Sequence, residues 1–407
     1  MKTIYADNNA TTQVAPEVYR AMVPFLTENY FNPSSMYQPA QKTAAAVNGA
    51  RERIAQHFGG VRADEIIFTS CATESNNMAI QGAAKANPNR RHIITTAVEH
   101  PAVLEVCRDL ERVGYEVTYL PVDRQGNLSM SDFVRALRPD TLLVTIMHAN
   151  NETGVIFPVE QLARVTKETD PNIVFHTDAT QTVGKLTIDL AVDLKNVDMF
   201  SFSGHKLHAP KGVGALFLRR GTPVRPFMIG GHQESGRRAG TENVPFIVGL
   251  AAAMDLAAER HDEDEPHVRA MRDRLETVLA ERIPAVEING QDAERMPNTS
   301  NIACHYIEGE GMLYQLDAEG ICASSGSACT SGSLEPSHVL IALGVPFTAV
   351  HGSIRFSLSR YNTDADIDHI VEVFPRVVEN LRKLSPYWDQ ATNAPRQDAE
   401  ELIGKTH

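Results

Sequence analysis

The residues best suited to chemistry lie in the stretch Met199–Leu207, where a short apolar run ends in Ser203-Gly204-His205-Lys206. A glycine turn at this point would present a hydroxyl, an imidazole and an amine to one small volume. The amine of Lys206 could form a Schiff base with a carbonyl compound if cationic or apolar surroundings lower its pKa. A lysine in a turn is more often simply solvated, so the interpretation depends on the residues that accompany it.

Polar residues also follow other predicted strands, at the ends where ligands bind in parallel sheets. Ala72 and Thr73 begin a helix, and backbone amides at a helix N-terminus bind phosphate well, although a plain N-cap is the alternative. His100 stands at a strand-to-helix turn, where most histidines are surface or capping residues. Asn151 belongs to an amide-rich segment after a further strand.

Asp178 and Gln181 follow another apolar strand. Keeping a buried carboxylate charged costs on the order of several kcal/mol unless it has a cationic partner, and a protonated pyridine nitrogen would be one. Five successive strand ends therefore carry phosphate binders, a carboxylate, amide donors and an amine. This set is typical of a site for pyridoxal phosphate.

Seven short β-rich runs provide these strand ends. The predicted strands are Glu65–Thr69, His92–Thr96, Glu116–Pro121, Thr141–Met147, Ile173–Thr177, Met199–Ser203 and Gly214–Phe217. The predicted helices between them include Glu74–Ala86, Ala102–Val113, Met130–Leu137 and Val159–Thr169. Apolar strands that alternate with helices indicate an α/β fold with a mainly parallel seven-stranded sheet covered by helices.

The acidic run His261–Pro266 is predicted to mark a domain boundary. Residues 1–260 would form a large domain that binds the cofactor, with the N-terminal segment packing against the smaller one. Residues 261–388 would form a smaller α+β domain that begins with a helix, His267–Arg282, and residues 389–407 a polar C-terminal tail.

Three features of the second half could complete the site. The glycine-rich segment Gly230–Asn243 carries Thr241 and two arginines, which suit an anion site or a mobile surface loop. Cys329 lies in a run of glycine and serine that would let its thiol move, although most free cysteines are buried and inert. Arg355 lies within a predicted strand and could bind a carboxylate, with a structural ion pair as the alternative.

Composition excludes several classes of function. The formal net charge of -13 argues against nucleic acid or an anionic membrane as partner. The five cysteines contain no C-x-x-C pair, so no metal site or redox dithiol is predicted, and their sparse use fits a reducing cytoplasm. No stretch is apolar and long enough to span a membrane.

Several motifs together resemble the cysteine desulfurase family, over nearly the whole chain from Ile4 to Trp388. The motifs are Tyr5–Thr12, Ala72–Glu74, Ser203–Lys206 and Ser324–Pro336. Further blocks are similar to the nitrogen-fixation branch of that family, NifS; they are His148–Pro158, Gly204–Gly214, Gly231–Asn243 and Leu381–Trp388.

The resemblance implies an aspartate-aminotransferase-like fold of the pyridoxal-phosphate enzymes (fold type I), a homodimer with active sites at the subunit interface, and roles for the residues around the ring. Lys206 would hold pyridoxal 5'-phosphate covalently, and His100 would stack on the ring. Asp178 would pair with the pyridine nitrogen. Asn151 and Gln181 would contact the phenolic oxygen.

The resemblance also assigns the phosphate, the substrate and the sulfur. The phosphate-binding residues would be Ala72, Thr73, Ser203, His205 and, from the neighbouring subunit, Thr241. Arg355 and Asn151 would bind the substrate, L-cysteine, and Cys329 would be the sulfur acceptor. With Lys206 and His100 as the other catalytic residues, the products would be L-alanine and an enzyme persulfide that passes to a scaffold protein for iron–sulfur clusters.

One block departs from the family pattern, because Phe31–Tyr37 lacks a glycine and a histidine that the family usually has there. The departure affects the expected geometry near the entrance of the site.

Two other functions stay open at this point. Another pyridoxal enzyme, such as a selenocysteine lyase or an aminotransferase, would not need Cys329, whereas a non-catalytic assembly scaffold would be expected to have lost Lys206 or Asp178.

Overall fold

A seven-stranded sheet forms the centre of the computed structural model, which describes residues 3–325, 336–397 and 399. The first eight strands are β1 (Ile4–Tyr5), β2 (Ile66–Thr69), β3 (His92–Thr96), β4 (Glu116–Leu120), β5 (Thr141–Thr145), β6 (Val174–Asp178), β7 (Met199–Ser203) and β8 (Gly214–Leu218). The sheet order is β2-β8-β7-β6-β5-β3-β4. Only β8 runs antiparallel to its two neighbours, β2 and β7.

Six of the seven strands of this sheet are buried on both faces, which explains their largely apolar sequences, whereas the edge strand β4 is only partly buried. In β7, Phe200 and Phe202 join the apolar cluster on one face, whereas Met199 joins the cluster on the other. In β2, Phe68 and Ile67 divide between the two faces in the same way. Successive side chains of a strand point to opposite faces, so each strand contributes to two hydrophobic cores.

Six helices from the first part of the chain cover the sheet. They are α1 (Pro16–Thr27), α2 (Gln38–His57), α3 (Ala72–Ala86), α4 (Pro101–Arg112), α5 (Met130–Ala136) and α6 (Val159–Thr169). The apolar residues of α3 and α4 belong to one cluster, and those of the other four helices belong to the cluster on the opposite face. The prediction of a mainly parallel sheet with helices on both faces is confirmed.

The C-terminal part forms a second, smaller α+β unit. Its helices are α8 (Gly309–Ala318), α9 (His338–Ala342), α10 (Phe347–Val350) and α11 (Asp364–Arg382). Its strands are β9 (Val286–Ile288), β10 (Thr299–Cys304), β11 (Ile321–Cys322), β12 (Ser324–Ser325), β13 (Ser353–Ser357), β14 (Trp388–Asp389) and β15 (Ala394–Pro395). An antiparallel sheet in the order β12-β13-β10-β9 packs against α8 and α11 around its own apolar cluster.

The N-terminal segment belongs structurally to this second unit. Strand β1 pairs in parallel with β11. The amide of Asn8 donates to the carbonyl of Ser357 at 3.0 Å, and the amide of Ser357 donates to the carbonyl of Ala6 at 2.7 Å. The following residues, Asn9 and Ala10, then enter the space between the two units and line a cavity there.

A single long helix, α7 (Val244–Arg282), runs through the predicted domain boundary. The prediction that a helix begins at His267 is therefore wrong. The acidic run does not end the helix because arginines one turn away on either side pair with it, as between Arg260 Nη2 and Asp264 Oδ1 at 3.2 Å. Val248 packs in the core of the large sheet and Val268 in that of the small unit, so α7 is shared by both.

Three short 3₁₀ segments complete the regular structure; they are Ala63–Glu65, Gly204–Lys206 and Gln233–Gly236. Among the helices in the described part of the chain, none is both long and apolar enough to cross a membrane. The described residues also contain no group of three or more His, Cys, Asp or Glu side chains that could hold a metal ion.

Candidate active site

A cavity of about 350 Å³ lies at the carboxyl ends of the parallel strands, between the large sheet and the small unit. Ten of the predicted site residues line it: Ala72, Thr73, His100, Asn151, Asp178, Gln181, Ser203, His205, Lys206 and Arg355. Two predicted residues do not. Thr241 is exposed and lies outside this cavity, and Cys329 lies outside the described residues.

Lys206 reaches the cavity from the 3₁₀ turn Gly204–Lys206 at the end of β7. Only glycine fits at position 204, because a Cβ there would lie 2.9 Å from Val213 Cγ1. Lys206 Nζ donates to the carbonyl oxygens of Asn9 and Ala10 at 2.6 and 2.7 Å. The N-terminal segment therefore holds the amine at the cavity wall.

Asp178, the last residue of β6, is only 6% exposed. Its Oδ2 accepts a hydrogen bond from Asn76 Nδ2 at 2.7 Å, and its Oδ1 accepts one from the amide of Thr180 at 2.9 Å. These neutral donors orient the carboxylate without supplying a positive charge. A cationic ring nitrogen would supply the missing charge.

His100 is both the N-cap of α4 and part of the cavity wall. Its Nδ1 accepts a hydrogen bond from the amide of Ala102 at 3.0 Å, so in the neutral ring the proton resides on Nε2. Burial lowers the pKa of His100, and the charge of Lys206 adds to the effect while Asp178 opposes it. A neutral imidazole suits stacking on a cofactor ring.

The donors on the opposite side of the cavity suit a phosphate group. Helix α3 begins there with Ala72 and Thr73. The Ser203 hydroxyl is buried and has no hydrogen-bond partner in the described part of the chain. His205 Nδ1 lies 3.1 Å from Thr11 Oγ1, and burial, helped by the nearby lysines, lowers the pKa of His205 to about 4. The unpaired hydroxyl and the helix N-terminus are what a phosphate would need.

Arg355 approaches from β13 of the small unit and is 2% exposed. Its Nη2 forms an ion pair with Asp7 Oδ1 at 2.8 Å, and its Nη1 donates to the carbonyl of Asn151 at 3.0 Å. Its Nε is buried without a partner among the described residues. The structural ion pair that the sequence left open is therefore present, and the Nε–H of the guanidinium is still unused among the described residues.

Several residues at the cavity were missed from the sequence. Asn76 lies one turn after Ala72 on α3, and that spacing could have identified it. His338 carried no signal in the sequence, because no motif includes it; its Nε2 lies 2.9 Å from the carbonyl oxygen of Glu99. Burial raises the pKa of Glu99 to about 8 and that of Glu152 to about 7, so both carboxyl groups resist ionisation.

The chain is similar to known proteins over almost its full length. The model of the family described as aminotransferase class-V matches residues 4–370. A cysteine desulfurase of Trichormus azollae is 54% identical over 387 residues, which is 95% of this chain and 96% of that protein. The cysteine desulfurase NifS of Azotobacter vinelandii is 50% identical over 398 residues, 98% of each chain.

A solved structure, described as a NifS-like protein, superimposes with a TM-score of 0.87 at 38% identity. The superposition covers 93% of this chain and 100% of that one. The fold predicted from the family resemblance is thereby confirmed. The chain belongs to the aminotransferase class-V family and, within it, to the cysteine desulfurases.

Proposed function

We propose that the protein is a pyridoxal-phosphate-dependent cysteine desulfurase that converts L-cysteine to L-alanine and retains the sulfur as a persulfide on Cys329. The observation that carries the proposal is the cavity in which Lys206, Asp178 and the unpaired hydroxyl of Ser203 meet. Relatives that share about half of the sequence over nearly the whole chain are cysteine desulfurases.

The residues of the cavity fit the cofactor. Ser203, His205 and the N-terminus of α3 with Thr73 would bind its phosphate, and Asp178 would pair with its ring nitrogen. His100 would stack on the ring, while Gln181 and Asn151 would donate to the phenolic oxygen. When bound, pyridoxal phosphate supplies an electron sink for the bonds at the Cα atom of an amino acid.

Lys206 would move protons at the substrate. Its Nζ must first give up the hydrogen bonds to the Asn9 and Ala10 carbonyls, which hold it at the wall of the cavity. Once free, the amine can take the proton from Cα and return a proton to the product. Arg355 would hold the substrate carboxylate through the N–H that has no partner, while Asp7 keeps the guanidinium in place.

Cys329 would attack the sulfur of the substrate as a thiolate. A bond forms between its Sγ and the substrate sulfur, the bond between that sulfur and Cβ breaks, and the carbon gains the proton that completes the methyl group of alanine. No outside oxidant or reductant is needed for this transfer. The persulfide is then available to an acceptor protein, which we propose is a scaffold for iron–sulfur clusters of the nitrogenase type.

We further propose that two subunits complete each site. Thr241 is exposed and lies away from the cavity of its own chain, so a threonine that serves the phosphate would have to come from a second copy.

The segment that carries Thr241 is held in place by hydrogen bonds to its own chain. The carboxylate of Glu234 accepts hydrogen bonds from Arg51 at 2.6 and 2.9 Å and from the amide of Phe68 at 3.1 Å. Arg238 forms two hydrogen bonds with Glu74. Because the reaction requires a reduced thiol, we propose a cytoplasmic location.

The decisive experiment measures alanine and sulfide released from L-cysteine in the presence of a thiol reductant. The proposal expects equal amounts of the two products from protein loaded with pyridoxal phosphate. Release of pyruvate and ammonia instead of alanine, or an amino-group transfer to a keto acid without sulfide, would assign the protein to a different reaction.

A further inference from the structure

Lys185 lies beside the active site, although no motif in the sequence pointed to it. It follows Gly184, whose φ is +77° and whose position leaves no room for a side chain, because a Cβ there would lie 2.8 Å from Leu207 Cβ. This close approach places the backbone of residues 184–185 against the turn that carries Lys206. Lys185 Nζ donates to Gln181 Oε1 at 3.1 Å.

The electrostatic environment of Lys185 is unfavourable for a charged amine. Burial, together with the positive charges of Lys206 and Arg355, lowers the pKa of Lys185 to about 7. The residue keeps part of its surface open through a cavity of about 60 Å³ that it shares with Lys206. In the described part of the chain no carboxylate forms an ion pair with it, and Gln181 is the only hydrogen-bond partner of its amine. An amine in such a place does not stabilise the fold, so its presence calls for another explanation.

The contact with Lys185 determines how the Gln181 amide is oriented. The amine of Lys185 donates to the oxygen of the amide, and the carbonyl of Asn9 on the other side can only accept, so the nitrogen of the amide faces Asn9. Gln181 Nε2 accordingly donates to the carbonyl of Asn9 at 3.1 Å. That carbonyl also accepts from Lys206. The amide thus lies between the two lysines, in the wall of the cavity, with its nitrogen on the side of Asn9.

We infer that Lys185 is a positioning residue that holds the Gln181 amide with its nitrogen available to the phenolic oxygen of the cofactor. The inference rests on the proposed function. Lys185 acts through Gln181: it supplies the donor that the amide oxygen requires and so prevents the amide from rotating within the wall. Without it, the amide oxygen loses its partner, and the contact between Gln181 and the cofactor weakens.

The test compares Lys185→Met with Lys195→Met, which removes an exposed lysine from the same stretch of chain. Equilibrium dialysis of the apo-protein against pyridoxal phosphate should give a dissociation constant about tenfold higher for Lys185→Met, the effect of one lost hydrogen bond. The control should bind as the wild type does. Thermal unfolding of the apo-protein at pH 7 should be unchanged or shifted upward in Lys185→Met, because a poorly placed charge is removed.

A double-mutant cycle shows whether Lys185 acts through Gln181. In a Gln181→Ala background, Lys185→Met should have no further effect on cofactor binding. Additive effects, or tenfold weaker binding together with a lower melting temperature of the apo-protein, would show that Lys185 has a separate or merely structural role and would overturn the inference. Lys185→Arg, which keeps a cationic donor, should recover most of the binding, and no recovery would likewise count against it.

These outcomes are separate from a failure of the proposed function. If wild-type protein neither binds pyridoxal phosphate nor releases alanine from L-cysteine, the function itself is wrong. If the wild type does both while Lys185→Met binds the cofactor normally, only the inference about Lys185 is wrong.

Discussion

The amine of Lys206 is held by two backbone carbonyls at the wall of the cavity, where we propose that it binds the cofactor and moves protons. We expect Lys206→Ala to fold normally, because its side chain is at the wall of a cavity and fills no core, and to lose turnover by about 10²–10⁴-fold or more, as the proton-transfer group is removed. Alanine release from L-cysteine measures the loss, and circular dichroism tests the folding. Turnover at the wild-type rate in this variant would contradict the assignment of Lys206.

Three of the cysteine thiols in the described part of the chain have a raised pKa, which makes them poorly suited to attack as thiolates. Cys107 and Cys304 are completely buried, which raises the pKa of each thiol, that of Cys304 to about 12, and burial also raises the pKa of Cys322. Thiols with raised pKa are poor nucleophiles. Cys71 lines the cavity and is the one rival to Cys329 among the cysteines described here.

Cys329→Ala should therefore bind pyridoxal phosphate and L-cysteine but release no sulfide, while Cys322→Ala keeps turnover. Mass spectrometry of the wild type after reaction without reductant should find one additional sulfur on the peptide that contains Cys329. Finding that sulfur on the peptide with Cys71 would move the acceptor to the start of α3.

At the scale of elements, the junction of β3 and α4 contains a carboxyl group that weakens the fold as pH rises. Glu99 Oε1 accepts from Thr96 Oγ1 and from the amide of Met147, both at 2.9 Å, while Oε2 is buried without a partner in the described structure. Burial raises its pKa from 4.5 to about 8. Between these values the unfolded chain releases the proton and the folded chain keeps it, so stability falls as pH increases.

Glu99→Gln should remove this contribution, because an amide does not titrate and its oxygen can keep both hydrogen bonds. The variant apo-protein should lose less stability than the wild type between pH 5 and pH 8, measured by urea unfolding at each pH. An equal loss in the two proteins would mean that Glu99 ionises in the folded state as readily as in the unfolded one.

The sequence predicts strands and helices well where the pattern of apolar residues within one segment determines the structure of that segment. All seven strands of the large sheet were identified to within two residues at either end, because six of them are buried on both faces and have largely apolar sequences. The strand-end residues Asp178 and Lys206 follow from the same pattern. The contact of Lys206 with Asn9, the burial of Lys185 and the continuity of α7 could not be predicted, since each depends on segments that meet only in the folded chain.

For the whole molecule, the proposal of two subunits gives a test by complementation. Thr241→Asp would place a carboxylate against the phosphate and should weaken cofactor binding, while Lys206→Ala abolishes turnover. If Thr241 serves the neighbouring subunit, unfolding and refolding the two inactive variants together should yield mixed dimers that have one intact site. Activity should then return to about a quarter of the wild-type level, since half of the dimers are mixed and half of their sites are intact. Mixtures that stay inactive would mean that Thr241 serves the site of its own subunit, and a Thr241→Asp variant that is active by itself would place Thr241 outside the site.

The pairing of β1 with β11 also sets the time at which the enzyme can first act. Residues 4–5 leave the ribosome early, but their partner strand follows more than three hundred residues later. At a typical rate of synthesis, the N-terminal segment waits roughly 15–60 s for that partner. The carbonyls of Asn9 and Ala10 that hold Lys206 belong to this segment. Nascent chains can thus complete the large sheet while the amine of Lys206 still lacks these two carbonyls, and we expect cofactor binding to be among the last steps in the maturation of the enzyme.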